Sequence, residues 1–331
     1  MRINKLARAR AGAVALADDE RKVMTAAMRI GVDVGGTKVE AIALDAAGRE
    51  LARRRVPSPA RDYDALVETV RALVVGLEAD LGRRGSVGVG TPGAVSPATG
   101  FIKNANSTEL NGRPFPSDLA HALGREVRVE NDANCFALSE ATDGSGAGHR
   151  VVFGVILGTG VGGGLVVDGR VWIGANAIAG EWGHNEMPSR TEPDLAETRC
   201  YCGRRRCIET YLSGPGLAAD HARHGAAGGV DGRRVAALAA ASETAAQATM
   251  ARYCDRLARA LGAVINVLDP DVIVLGGGLS NIDALYGEVA KLLPGHVFSD
   301  VCTTPVVQHR HGDSSGVRGA AWLWPADGAI D

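Results

Sequence analysis

Three cysteines crowd into eight positions, Cys200-Tyr201-Cys202-Gly203-Arg204-Arg205-Arg206-Cys207. Gly203 lets such a loop turn back so that the thiolates converge, and one more ligand would complete a closed tetrahedral zinc site of the structural kind. His184, in Gly180-Glu181-Trp182-Gly183-His184-Asn185, is the leading fourth ligand. Reduced surface cysteines among solvated arginines are the plain alternative, although exposed free thiols this dense are unusual. A second chemistry is offered by Glu130-Asn131-Asp132-Ala133-Asn134, where a strand end runs into a helix. A carboxylate there can take or orient the proton of an attacking hydroxyl. Asp132 suits equally well the N-cap of the helix that follows.

Three glycine-rich turns each follow an apolar strand. Asp33-Val34-Gly35-Gly36-Thr37-Lys38 is too short for a Walker loop and leads into a strand, not a helix. A hairpin turn of this kind can still aim backbone N–H groups, the Thr37 hydroxyl and the Lys38 ammonium at phosphate oxygens. Asp33 could hold a phosphate-bound Mg²⁺ through water. Taken alone, the segment also reads as an ordinary hairpin, where Gly-Gly is common. Leu157-Gly158-Thr159-Gly160-Val161-Gly162-Gly163-Gly164 carries more glycine than a hairpin requires. Gly276-Gly277-Gly278 stands after a strand and before a helix, where ligands gather in α/β proteins.

The elements that must position these residues alternate between strand and helix. Apolar runs predict strands over residues 29–34, 39–44, 50–56, 86–90, 127–129, 151–157, 164–167, 272–275 and 305–308. Helical spacing covers 62–81, 115–123, 132–142, 283–293 and 315–324, with a long Ala-rich and interrupted region over 233–268. The class is α/β. A strand, glycine turn, strand unit occurs twice, at 29–44 and 151–167, which points to two related domains facing one cleft.

The chain has 331 residues, enough for one large or two medium domains. Hydrophobic content of 46% and charged content of 22% fit a soluble globular protein. A formal net charge of −2 gives no pull toward nucleic acid or acidic membranes. No apolar run reaches the ~18 residues of a membrane span, so no membrane partner is expected. Residues 1–27 lack the apolar core of a secretory signal and read as a transit-like or disordered extension, with translation expected to begin at Met28 rather than Met1. Cys135, Cys254 and Cys302 are scattered, so reduced thiols and a cytoplasmic setting are expected rather than a disulfide framework.

Together, Asp33 to Lys38, Gly158 to Gly164 and Gly276 to Gly278 resemble the phosphate 1, phosphate 2 and adenosine segments of the actin-like sugar kinases. Gly180-Glu181-Trp182-Gly183-His184 followed by Cys-x-Cys-Gly-x-x-x-Cys-x-Glu resembles the signature of the ROK family of bacterial sugar kinases and repressors, over essentially the whole chain from Arg29. The resemblance implies two ribonuclease-H-like domains around an interdomain cleft: residues 29–143 first, joined by the terminal helix 315–325, then 144–314 with the zinc loop. It implies ATP bound by Asp33, Gly35, Gly36, Thr37, Lys38, Gly158, Thr159, Gly160, Gly276, Gly277 and Gly278, with Mg²⁺. It also implies a structural Zn²⁺ on His184, Cys200, Cys202 and Cys207, Asp132 as catalytic base, and a homodimer. A hexose would be met by Asn106, Asn131, Asp132, Glu181, His184 and Glu209, with His184 ligating zinc through one ring nitrogen and a sugar hydroxyl through the other. Glu209 suits an ordinary helix-start carboxylate as well. Arg206 stands where the family usually has glycine, a change expected to shift the loop's backbone while leaving the cysteines able to bind.

Asn104-Ala105-Asn106-Ser107, Leu110-Asn111-Gly112, residues 131–141 and residues 155–160 look most like the fructokinase (mannokinase-type) branch, so D-fructose to fructose 6-phosphate is the expected reaction. Glucokinases, mannokinases and N-acetylhexosamine kinases share the skeleton. After His184-Asn185 the chain reads Glu186-Met187-Pro188-Ser189 where the fructokinase pattern has Pro-Leu-Pro-Trp. The family's repressors carry a helix-turn-helix domain, typically of more than about 60 residues, ahead of the first phosphate turn. Only 28 residues precede Arg29 and no two-helix pattern is visible in them, so an enzyme is expected rather than a repressor.

Overall fold

The computed structural model describes residues 28–59, 61–194, 198–225 and 229–325. The extension expected over residues 1–28 lies outside these, apart from Met28. The described residues open on β1 (Arg29–Val34), β2 (Lys38–Leu44) and β3 (Glu50–Pro57), followed by α1 (Tyr63–Leu81). Asp62 caps α1 by accepting from Ala65 N, and Gly82 ends it in the left-handed conformation. This helix turns Leu66, Val70, Leu73, Val74 and Leu77 onto the sheet, the stripe its spacing predicts. Next come β4 (Ser86–Thr91), the two-residue pair β5 (Ala94–Val95) and β6 (Ile102–Lys103), α2 (Phe115–Leu123), β7 (Val127–Asn131) and α3 (Asp132–Asp143).

The second half repeats the plan with β8 (Val151–Leu157), β9 (Val161–Val167) and β10 (Arg170–Val171). Helices α4 (Glu209–Leu212), α5 (Gly214–Arg223), α6 (Gly232–Ala240) and α7 (Thr244–Leu268) precede β11 (Val272–Gly276), α8 (Ala284–Leu292), β12 (Val306–Gln308) and α9 (Ser315–Trp322). The sheet orders are β3-β2-β1-β4-β7 and β10-β9-β8-β11-β12. In both, one strand lies antiparallel to its hairpin partner and parallel to the strand on its other side: β1 between β2 and β4, β8 between β9 and β11. That order and polarity define a ribonuclease-H-like unit, and it occurs twice.

Two helices are exchanged between the sheets. Helix α3 leaves the end of β7 but packs on β8 and β9, while α9 leaves β12 and packs on β1, β2 and β4. The helices cross at van der Waals limit, because a Cβ on Gly319 would lie 1.6 Å from the Cys135 carbonyl oxygen. The chain passes between the halves twice, and both passages meet at Glu140. This wholly buried carboxylate accepts from the backbone N–H of Ser145 and Arg310, each at 2.9 Å, from that of His311 at 3.3 Å, and from the Ser315 hydroxyl at 2.8 Å. Beside it, Asp143 pairs with His311 and Arg318. No helix among the described residues is long and apolar enough to cross a membrane.

Candidate active site

Between the sheets lies a cavity of about 1130 Å³. Its lining brings together Asn106, Asn131, Asp132, the turn Gly158–Gly160, Glu181, His184, Cys202 and Glu209. The turn at Asp33–Lys38 and the glycines 276–278 stand outside this lining. Gly277, at φ +80°, packs on the second turn, since a Cβ there would meet the Leu157 carbonyl at 2.5 Å. The second and third glycine turns are therefore in contact, and of the three only the second lines the cavity.

Asp132 is the first residue of α3, and capping falls to its neighbour. The Asn131 side-chain oxygen accepts from Ala133 N at 2.9 Å and Asn134 N at 3.3 Å, and its Nδ2 donates to the Gly93 carbonyl. Asn131 thus keeps one amide hydrogen for a ligand. Asp132 accepts from Ala133 N at 2.8 Å. Burial pushes its pKa up to about 6; the Ala133 N–H lowers it, and the negative Glu181 raises it. Asp33, at the end of β1, is pushed to about 7, by burial first and by the charge of Asp132 second. Two electrostatically coupled acids with raised pKa values, one of them lining the cavity, mark a site where proton affinity has been set by surroundings. Lys38 leans back to Glu40 at 3.3 Å, where Arg53 and Arg55 also bind the same buried carboxylate.

Only part of the second turn's glycine is free of close packing. Gly158 is open, whereas Gly163 and Gly164 are packing residues: a Cβ would lie 2.7 Å from the Gly180 carbonyl and 2.4 Å from that of Ala133. This close approach draws the 180–184 segment against β9, with Trp182 Nε1 donating to the Gly162 carbonyl at 3.0 Å. Glu209, opening α4, accepts from Val161 N at 3.0 Å and lies 3.6 Å from Cys200 Sγ, so it ties this turn to the cysteine loop.

The ligand atoms of His184, Cys200, Cys202 and Cys207 all lie within 4.8 Å of one another. Metal–sulfur bonds of about 2.3 Å at tetrahedral angles put sulfurs about 3.8 Å apart, and a sulfur and an imidazole nitrogen about 3.5 Å apart. Cys202 and Cys207 sulfurs are 3.7 Å apart, and Cys200 Sγ is 3.6 Å from His184 Nδ1. The residues fit a zinc ion. Arg206 takes φ +58°, the left-handed conformation glycine adopts readily, and Met187 N donates to its carbonyl at 3.0 Å. Arg206 therefore holds a glycine-like conformation at a cost of about 1–2 kcal/mol, and its side chain pairs with Glu186 at 3.1 Å.

Two residues escape a reading by motif. Tyr201 lines the cavity with its hydroxyl 3.2 Å from His184 Nε2. Arg233 lies over the third turn, where a Cβ on Gly278 would be 2.7 Å from its Nη2. Each side chain reaches its neighbour through the fold, and no spacing announces it.

A repeated ribonuclease-H-like unit around a cleft, with a Cys₃His cluster at its edge, defines a two-lobed α/β class with a cysteine-rich loop. Residues 29–327 match the ROK family profile, and the chain belongs to the ROK family. It is 41% identical over 304 residues to an N-acetyl-D-glucosamine kinase of Yersinia pseudotuberculosis serotype O:3, covering 91% of this chain and all of that protein. Among solved structures it is similar to a ROK hexokinase from Thermus thermophilus, with a TM-score of 0.77 and 30% identity over 89% of this chain and 96% of that one. It is also similar to a ROK family glucokinase from Streptomyces griseus in complex with glucose and AMPPNP, with a TM-score of 0.71 and 27% identity over 89% of this chain and 98% of that one.

Proposed function

We propose that the protein is an ATP-dependent sugar kinase that phosphorylates a hexose at its 6-hydroxyl, with N-acetyl-D-glucosamine the first substrate and fructose an alternative. The observation that carries this reading is Asp132, held at the strand-to-helix junction in the same cavity as the turn Gly158–Gly160. Ionised Asp132 takes the proton of the 6-hydroxyl as its oxygen attacks the terminal phosphorus of ATP and the bond to the bridging oxygen breaks, releasing ADP. Backbone N–H groups of the second turn would receive phosphate oxygens. Asp33 would hold Mg²⁺ through water, a metal that neutralises phosphate charge when bound.

Zinc on His184, Cys200, Cys202 and Cys207 would fix the imidazole's direction at the sugar pocket. Asn106, Asn131, Glu181 and Glu209 would complete the pocket, with Asn131 and Glu209 acting largely through backbone they already bind. The Yersinia relative, alike over its whole length, supports N-acetyl-D-glucosamine ahead of the fructose expected from segments 104–112, 131–141 and 155–160. An ADP-release assay on zinc-loaded protein across N-acetyl-D-glucosamine, fructose, mannose and glucose tests the reading. We expect the highest kcat/KM with N-acetyl-D-glucosamine; no sugar-dependent ADP release would overturn it.

A further inference from the structure

Tyr201 sits between two of the cluster's cysteines, and the phosphoryl-transfer scheme has no use for it. The residue is 73% exposed, yet its side chain is tethered: the hydroxyl lies 3.2 Å from His184 Nε2, and the two rings meet edge to face at 5.3 Å and 82°. The other imidazole nitrogen, Nδ1, faces Cys200 Sγ at 3.6 Å, on the side of the ligand cluster. An imidazole that gives its Nδ1 lone pair to a metal carries its hydrogen on Nε2. With zinc on Nδ1, His184 would therefore donate to the phenolic oxygen and leave the phenolic hydrogen free for an acceptor in the cavity that Tyr201 lines. Tyr201 would then be a donor there.

A hexose with its 6-hydroxyl at Asp132 carries its C2 substituent across the ring from that point. Glu181, His184 and Tyr201 line the same cavity as Asp132, with Glu181 Oε2 3.9 Å from His184 Nε2 and that nitrogen 3.2 Å from the Tyr201 hydroxyl. We propose that Tyr201 is a specificity-determining residue that donates its hydroxyl hydrogen to the carbonyl oxygen of a 2-acetamido group, and so selects N-acetylhexosamines over unsubstituted hexoses. An amide carbonyl only accepts, so it matches a site whose polarity the imidazole has fixed. This rests on the sugar-kinase reading and names the substrate class within it.

Tyr201→Phe keeps the ring and deletes the hydroxyl. The measurements are kcat/KM and calorimetric Kd for N-acetyl-D-glucosamine and for glucose, with zinc content determined on the same samples. We expect the preference for N-acetyl-D-glucosamine over glucose to fall about five- to tenfold in both kcat/KM and Kd, the size of one lost hydrogen bond, with zinc content at the wild-type value. A preference within twofold of wild type overturns the assignment. So does an equal weakening toward both sugars, with or without loss of zinc, which would make Tyr201 a support for His184. Calorimetry reads the preference without turnover, so an inactive wild-type protein would sink the kinase reading while the binding ratio still decides on Tyr201.

Discussion

In the first sheet the hairpin β1–β2 is set with charge: Asp33 closes one strand, Lys38 opens the next, and Glu40 gathers Lys38, Arg53 and Arg55. In the second sheet the matching hairpin β8–β9 has no charged residue between Val151 and Val167. It holds glycines that let Gly180 and α3 approach its backbone. Strand order and polarity repeat between the halves; the chemistry does not. A fold repeated within one chain can thus divide labour, with one lobe supplying carboxylates of raised pKa and the other supplying a neutral glycine hairpin and a cysteine loop.

The division breaks most plainly at Asp132. Asp132→Asn, nearly isosteric, should lower kcat by about 10²- to 10⁴-fold while calorimetry still detects sugar binding. Turnover near the wild-type rate would move the base elsewhere. The glycine contrast is next in size. Gly164→Ala drives a methyl into the Ala133 carbonyl and should cost about 2–3 kcal/mol in urea unfolding. Gly35→Ala, whose nearest neighbour is the Lys38 carbonyl at 3.1 Å, should cost less than about 1 kcal/mol. Equal losses would mean that the two hairpins are not used differently.

The raised acids predict a pH limb. A base must be ionised, so with Asp132 near 6 and Asp33 near 7 kcat/KM should be full above these values and fall at least about tenfold per unit below 6. A profile flat down to pH 5 would place the rate-controlling proton on neither acid. The smallest effect is expected at Arg206. Arg206→Gly removes left-handed strain of about 1–2 kcal/mol, but it also removes an exposed ion pair worth up to about 1 kcal/mol and adds chain entropy of about 0.5–1 kcal/mol. Chelator-free thermal unfolding should therefore give a stability within about 1 kcal/mol of wild type, and a larger loss would assign the arginine a further task.

Much of the fold is legible in the sequence where an element carries its own period and its own stops. Strand β1, α2 and β8 run where apolar patterning sets them, and α1 begins after the Asp62 cap and ends before Gly82. Helix α5 was hidden because it opens on Gly214-Pro215-Gly216, which reads as a turn; Ser213 caps it and Pro215 sits where the missing N–H costs nothing. The pair β5 and β6 joins two residues with two, too short for any alternation. Within the site, the cysteine loop and the acid after β7 stand out by type and spacing. What was not legible is which groups are already occupied: Lys38 by Glu40, Asn131 by the α3 cap, Glu209 by Val161. Those pairings depend on side chains brought together only by folding.

The exchanged helix α9 has a consequence for biosynthesis. Ile42 and Leu44 are covered by Val317 and Ala321, and Gly31 and Gly88 meet the backbone of the same helix. Strands made early by the ribosome therefore wait, with one face bare to solvent, until residues 315–322 have emerged. A truncated or stalled nascent chain exposes that apolar face, and the early lobe would be where a chaperone first engages it.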